Sequence, residues 1–415
     1  MSYFELPFSL VTGSQGPSQS MQIHSHFQPI VSLTHRRVVG YEALLRATQA
    51  DRPCTPMEAF NLALLENRVE QFDRECIAKH LTSFAGMDTD NQWLFLNLRS
   101  ETINPSNLRS NLLERFLKRQ GLGSQRMVLE ILEDAVSDPG LLQEFVHHYK
   151  EAGFLIAIDD FGTGASNFDR IWQLEPHIVK LDRSMLVNAR NSPRRQRWLT
   201  RCVALLRETG ALVLLEGVET EDDALLTLDS ECDLAQGYYF ARPSVQGHYQ
   251  AEQLSQSIQS LHQHALHGQL ARQHSQAKKQ RQLQTLVKET AKRLEQSVDF
   301  QAATQPLQDH QAIERIYLLD AEGVQIVENL HPGGAPLAKP AYSPLSQGAG
   351  ALWARRSYFR QALEQPGQVQ VSAPYLGLPD ATLDVTLSVA IQGGASGKLL
   401  VLCIDLPASW LENHD

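Results

Sequence analysis

Two adjacent carboxylates, Asp159 and Asp160, stand where an apolar run, Leu155-Ile-Ala-Ile, meets a Phe-Gly-Thr-Gly turn. The pattern reads as a buried strand ending at a loop that carries charge. Neighbouring strand residues point to opposite faces, so two adjacent aspartates share one target only where the backbone leaves pleat geometry. Carboxylates held this close raise each other's pKa unless a cation or donor lies between them, and a divalent cation is the natural target. A solvated turn after a core strand is the bland alternative, and the pair alone does not decide. Other segments repeat the theme of polar groups on an apolar run. YEALLR carries Glu42, WLFLNL carries Asn97, MVLEILED carries Glu130 and Glu133, HIVKLD carries Lys180 and Asp182, LVLLEGVET carries Glu216 and Glu219, and AQGYYFARP carries Gln236. Buried carboxylates are costly unless compensated, so a ring of them at one mouth calls for cations.

The elements that must position these residues alternate short apolar runs with amphipathic stretches, the signature of a parallel α/β fold. Strands are expected at FQPIVSL and VVGYEALLRA around a His35-Arg36-Arg37 turn, then at 93–98, 127–132, 155–159, 178–181, 212–215 and near Ala235. Helices are expected over 56–83, 107–119, 139–152 and 194–209. About eight strands fit a TIM-like (β/α)8 barrel with an antiparallel strand at its start better than an open sheet, and the polar residues lie at the strand ends where such barrels place their chemistry. Segments 1–20, 21–248, 249–298 and 299–415 read as a flexible arm, the barrel, a helical linker and a C-terminal α+β domain. In the linker, Leu254, Ile258, Leu261, Leu283, Leu286, Val287 and Leu294 follow helical spacing, interrupted by a polar middle. A solvated connector and a dimer-forming helix both fit it. In the last segment RIYLLDAEGVQIVENL reads as strand, turn, strand.

Composition narrows the class. The 415 residues are 42% hydrophobic, enough for real cores, and the net charge of -10 excludes a general nucleic-acid binder held by a basic surface. Five cysteines, Cys54, Cys76, Cys202, Cys232 and Cys403, show no metal-ligand spacing and read as reduced thiols. The start of the chain lacks a signal-peptide pattern and no apolar run approaches the roughly 20 residues of a membrane span, so a cytoplasmic protein is expected.

Taken together, EALLR, NLRS, LEILED, DDFGTG, VKLD, EGVET and QGYYFARP, in this order, resemble the EAL-domain phosphodiesterases that hydrolyse cyclic di-GMP to linear pGpG. The resemblance covers roughly residues 22 to 248. It implies that Glu42, Asn97, Glu130 and Asp159 hold one Mg2+ or Mn2+, and that Asp159 bridges to a second ion held also by Asp160 and Glu216. Two such ions would clamp a phosphodiester for in-line attack by a hydroxide, with Ca2+ binding but not supporting catalysis. Lys180 would accept the proton of the attacking water or orient it, and Glu133 would hold the loop after Asp160 closed. Gln236 would meet water or ligand at the metal site. Gln28 and Arg46 would contact substrate, the Arg46 fork gripping a phosphate. Asp182, Glu219 and Pro243 match further substrate-side positions. The usual aromatic-Ser-Ser after DDFGTG is Ala165-Ser166-Asn167 here, which leaves open a weakly catalytic receptor that binds cyclic di-GMP and signals to a partner. WARRSYFRQAL followed by VSAPY is similar to PAS-like and Cache-type sensor domains, implying a homodimer with a possible small-molecule ligand at Arg356, Tyr358 and Tyr375; the aromatic expected before Arg356 is Ala351.

Overall fold

The computed structural model of the chain describes residues 21–49, 51–87, 91–132, 138–163, 168–245, 251–296, 299–332, 344–345, 347–378, 381–393 and 397–411. Glu133 and the stretch 165–167 lie outside the described residues. Contacts divide the chain into two units, Met1–Ala265 and Leu266–Asp415. The division falls within a helix, beyond position 248 where the change of composition places the end of the barrel.

The first unit opens with an antiparallel hairpin of β1 (Gln22–Ser32) and β2 (Arg37–Gln49), to which the short β3 (Arg52–Cys54) is added. Helices α1 (Pro56–Leu65) and α2 (Val69–Ala85) lead to β4 (Trp93–Leu98). Then come α3 (Pro105–Ser110), α4 (Leu112–Gln120), β5 (Met127–Leu132), α5 (Pro139–Glu151), β6 (Leu155–Phe161) and α6 (Phe168–Leu174). They are followed by β7 (Ile178–Leu181), α7 (Arg183–Ala189), α8 (Pro193–Arg207), β8 (Leu212–Leu215), α9 (Glu221–Asp229), β9 (Leu234–Ala235) and β10 (Ser244–Val245). β2 and β4 through β9 pair in parallel in chain order, and β1 closes the ring by pairing antiparallel with both β2 and β9. This is the eight-stranded barrel with an antiparallel first strand expected from the alternation of apolar runs and amphipathic stretches.

Helix starts are written locally. Thr55 and Thr220 each close a capping box, with Glu58 and Asp223, and Pro56, Pro139 and Pro193 follow their caps in the first turn. Two expected helices are each split in two. Asn67 at φ 53° and Asn111 at φ 45° take left-handed backbone between α1 and α2 and between α3 and α4. A short amide side chain tolerates that conformation, and a hydrophobic pattern runs through it unchanged.

The long α10 (Ala251–Gln296) is continuous through its polar middle. Its Leu254, Ile258 and Leu261 are buried in the barrel core, whereas Leu283, Val287 and Leu294 are buried in the core of the second unit. The second unit adds α11 (Phe300–Ala303), α12 (Gln305–Gln308), β11 (Arg315–Leu319), α13 (Ser357–Glu364), β12 (Gln370–Val371), β13 (Tyr375–Leu376), β14 (Leu383–Gly393) and β15 (Lys398–Pro407). Its antiparallel sheet has the order β11-β15-β14-β12, with β13 also on β14. The run 324–330, expected as a strand after the Asp320 turn, makes only isolated bridges. The buried Gln325 amide donates to the Val327 carbonyl and to Asn329 Oδ1, each at 2.9 Å, and its backbone N–H donates to Ala351 instead of to a neighbouring strand.

Candidate functional site

Strand periodicity builds the site. An apolar plug fills the barrel: Ile30, Phe95, Val128, Ala157, Ile178, Leu214 and Leu234. Two residues further toward one end, on the same inward face, stand Gln28, Asn97, Glu130, Asp159, Lys180, Glu216 and Gln236. On β2, Gly40 takes the place of a plug residue below Glu42, where a side chain would press on the Phe95 ring and the Trp93 carbonyl. A dry floor thus carries a layer of polar groups, one from each strand, at the carboxyl ends of the parallel strands.

The aspartate pair converges through a bulge. The β6–β7 register shifts between Ile158 and Phe161, and Asp160 has φ 57°, left-handed backbone for a non-glycine residue. Such a conformation costs on the order of 1–3 kcal/mol and recurs at functional sites. It turns Asp160 toward the target of its neighbour. One carboxylate oxygen each from Asp159, Asp160 and Glu216 lie within 4.8 Å of one another, a grouping able to hold a cation.

Lys180, 1% exposed, anchors the layer: its Nζ lies 2.6 Å from Glu130 Oε1, 2.7 Å from Glu216 Oε1 and 3.0 Å from Asp159 Oδ1. Beside it, Asn97 Nδ2 donates to Glu42 Oε1 at 2.9 Å, and Gln236 Nε2 donates to Glu42 Oε2 at 2.6 Å and to Gln28 Oε1 at 3.3 Å. Five carboxylates, Glu42, Glu130, Asp159, Asp160 and Glu216, therefore face one ammonium. Burial pushes Glu130 well above the carboxylate range, and Lys180 only partly offsets it. Burial likewise raises Glu216 to about 7, again against the pull of Lys180, while burial and the Asp159 charge raise Asp160. For Lys180, burial pulls downward, but Glu130, Glu42, Glu216 and Asp159 together hold its pKa well above the ordinary range.

The residues fit a hard divalent cation. Despite the 2.6 Å approach of Lys180, neither Glu130 oxygen makes a hydrogen bond of good geometry, and Gln236 Oε1 is buried without a partner. Buried acceptors left this way cost several kcal/mol unless something is there to receive them. The donors are carboxylate and amide oxygens, the set that suits Mg2+, Mn2+ or Ca2+.

The remaining expected residues spread around this layer. Gln28 donates to the Ala241 carbonyl at 3.1 Å, and Arg46 folds its Nη1 onto the Leu45 carbonyl at 2.9 Å. Asp182 caps α7, accepting from the Ser184 N–H at 2.8 Å, and Glu219 pairs with Arg183 at 2.7 Å. Pro243 precedes β10 and its backbone accepts from His26.

One support is not among the expected residues. The fully buried Asp223 side chain accepts from Arg190 Nε at 2.7 Å and Nη2 at 2.8 Å, from Glu219 N at 3.1 Å and from Thr220 N at 3.0 Å. It fixes the turn that carries Glu216 and Glu219. Gly237 lets the same turn lie directly against Gln236, since a side chain there would collide with the Val218 backbone. The S/T-x-x-D box is readable in TEDD, but its partner Arg190 lies 33 residues away and carries no local mark.

In the second unit, Arg315 pairs with Asp384 and, through Nε at 2.9 Å, with Asp405. Asp405 also accepts from Thr386 at 2.7 Å, Tyr375 at 3.2 Å and Tyr317 at 3.3 Å. Tyr317, Tyr358, Tyr375, Asp405 and Arg356 line one cavity, in which the Arg356 guanidinium sits 4.9 Å from the Tyr375 ring centre and 5.7 Å from that of Trp353.

A family model described as EAL domain matches residues 15–243. An uncharacterized EAL-domain containing protein of Bacillus subtilis, YkuI, is 27% identical over 404 residues, 94% of this chain and 95% of its own. The cyclic di-GMP phosphodiesterases RocR and NbdA of Pseudomonas aeruginosa are each 27% identical over 55% and 54% of this chain, which spans 59% and 29% of their lengths. Among solved structures, Bacillus subtilis YkuI in complex with c-di-GMP and calcium matches with a TM-score of 0.78 at 23% identity, over 93% of this chain and 96% of that one. A Klebsiella pneumoniae BlrP1 manganese and c-di-GMP complex matches with a TM-score of 0.50 at 25% identity, over 56% of this chain and 62% of that one.

Proposed function

Because the chain belongs to the EAL-domain family, we propose that it is a metal-dependent phosphodiesterase that opens cyclic di-GMP to linear pGpG. The observation that carries this reading is the set of five carboxylates gathered around one buried lysine, with acceptors at Glu130 and Gln236 left unsatisfied. Glu42, Asn97, Glu130 and Asp159 would hold one Mg2+ or Mn2+, and Asp159, Asp160 and Glu216 the second. Such ions supply Lewis-acid stabilisation of the phosphate and a water acidic enough to attack it.

The side chains do the rest. Glu42 is held for its task by Asn97 and Gln236, which fix both of its oxygens. Lys180 is the group placed to hold or accept a proton in the layer. Its three carboxylate neighbours keep it protonated, and when their charge is spent on cations its pKa falls, which suits it to orient the attacking water or take its proton. Glu133, the residue that follows β5 in the sequence, would keep the segment after Asp160 closed. Gln28, Arg46, Asp182, Glu219, Gln236 and Pro243 would meet the substrate, Asp182 serving also as the cap of α7.

Regulation and setting belong to the same proposal. The protein works as a homodimer in the cytoplasm, and the C-terminal unit is a PAS/Cache-like domain that takes a small molecule at Arg356, Tyr358 and Tyr375. Supporting that pocket, Arg356 is held by two aromatic rings. No helix among the described residues is long and apolar enough to cross a membrane. A second reading, a receptor that holds cyclic di-GMP without useful turnover, rests on Ala165-Ser166-Asn167 in place of the usual loop.

One experiment separates the two. Purified protein is given cyclic di-GMP with Mg2+, Mn2+ or Ca2+, and both binding and pGpG are followed. Turnover in Mg2+ or Mn2+, binding without product in Ca2+, and loss of product in Glu42→Ala are expected. Binding without product in all three ions would establish the receptor reading instead.

A further inference from the structure

The face that carries Gln28 and Glu42 does not stop at the polar layer. Residues two apart on a strand share a face, and antiparallel partners stand opposite one another on it. The β1–β2 register sets Gln28 against Glu42, His26 against Leu44 and His24 against Arg46. Each step outward advances about 7 Å along the strand. The hairpin therefore rises from the proposed metal layer through His26 to an outer rung of His24 and Arg46.

This rung differs in charge from the layer below it. Glu42 is the only carboxylate in the three rungs, and above it come two imidazoles and a guanidinium. Among the described residues, none of His24, His26 and Arg46 has a carboxylate within salt-bridge distance; Arg46 is spent on the Leu45 carbonyl and His26 on the Pro243 backbone. The three groups also feel one another: burial first, then the charges of Arg46 and His24, holds His26 below the ordinary imidazole range. With His26 pressed toward its neutral form and no carboxylate on these outer rungs, the Arg46 guanidinium is their fixed positive charge; an anion placed there would be held by it and would draw protons onto the imidazoles. A surface cluster kept only for solubility would be spread, not aligned in register on one face.

We propose that His24 and His26 extend the Arg46 contact into a second anion subsite, which takes the phosphodiester of the cyclic dinucleotide that the metal layer does not hold. The inference rests on the phosphodiesterase reading above, and adds two residues to the substrate's distal side. A ligand with two phosphodiesters reaches from the metal layer to the histidine rungs. A ligand with one reaches only the metal layer, so the subsite also selects for the cyclic dinucleotide over simple phosphodiesters.

The test compares wild type, His24→Ala, His26→Ala and the double variant on two substrates in Mn2+, cyclic di-GMP and bis(p-nitrophenyl) phosphate, with cyclic di-GMP binding measured separately in Ca2+. The double variant is expected to raise KM and weaken binding for cyclic di-GMP about tenfold, the size of one lost charge-assisted hydrogen bond. Its loss on the single phosphodiester should be several-fold smaller, and His24→Arg should restore much of the affinity. An unchanged KM for cyclic di-GMP overturns the subsite, as does an equal loss on both substrates. Wild-type protein that hydrolyses bis(p-nitrophenyl) phosphate but neither binds nor opens cyclic di-GMP would overturn the substrate assignment itself, and the subsite with it.

Discussion

Both units bury carboxylates, and they compensate them in opposite ways. In the sheet domain, Asp384 and Asp405 are answered by the two arms of Arg315, by Thr386 and by tyrosine hydroxyls. In the barrel, five carboxylates share one lysine, and both Glu130 oxygens lack a well-formed hydrogen bond. Satisfied buried charge rigidifies a fold, whereas unsatisfied buried charge destabilises it until a ligand arrives. The difference separates a structural network from a site. Two of the chain's most buried ionic clusters would otherwise look alike.

That contrast can be broken by experiment. The largest effect is expected from Lys180→Met, which removes the ammonium of the polar layer: turnover with Mn2+ should fall by about 10²–10⁴-fold, read as pGpG formed under saturating substrate. Turnover within threefold of wild type would reduce Lys180 to a structural counter-ion. Next, Asp405→Asn in the sheet domain should cost about 3–5 kcal/mol in denaturant unfolding, because it leaves Arg315 half-paired inside the core, with cyclic di-GMP binding at the barrel retained in whatever fraction stays folded. A change below about 1 kcal/mol would mean that Asp384 alone satisfies Arg315.

The third effect is a dependence on pH. Glu216 is raised to about 7 from an ordinary 4.5. Between those values the folded state binds more protons than the unfolded chain, so the stability of chelated protein should decline as pH rises from about 4.5 to 7, by up to about 3 kcal/mol from this group. Added Mn2+ should reverse the slope, since cation binding favours the ionised carboxylates. Thermal unfolding with and without chelator across that range is the measurement, and a rising or flat curve in chelator would contradict the burial argument.

Much of the barrel could be read in advance because its code is short-range. From β4 to β9 a polar residue follows a plug residue by two positions, as in Val128 and Glu130 or Ile178 and Lys180, and a period of two survives in a single chain without knowledge of its neighbours. The left-handed turns at Asn67 and Asn111 were not legible, because a one-residue reversal of backbone leaves the hydrophobic pattern intact, whereas at Asp160 the departure from pleat geometry was foreshadowed by the adjacent aspartates. Nor were the pairs that depend on register. Arg315 meets Asp384 and Asp405 across 69 and 90 residues, and Arg190 meets Asp223 across 33. His24 and His26 lie in plain view in the sequence, but only the pairing of β1 with β2 places them on the same ladder as Glu42.

The apolar plug has a consequence for traffic. Among the described residues, Ile30, Phe95, Val128, Ala157, Ile178, Leu214 and Leu234 close the barrel beneath the polar layer, so the way in is from the carboxyl ends of the parallel strands. Whatever settles deepest, beside Glu130, goes in first and comes out last. A nucleotide lying across the opening would lock the ions beneath it, so metal exchange would have to wait for product to leave.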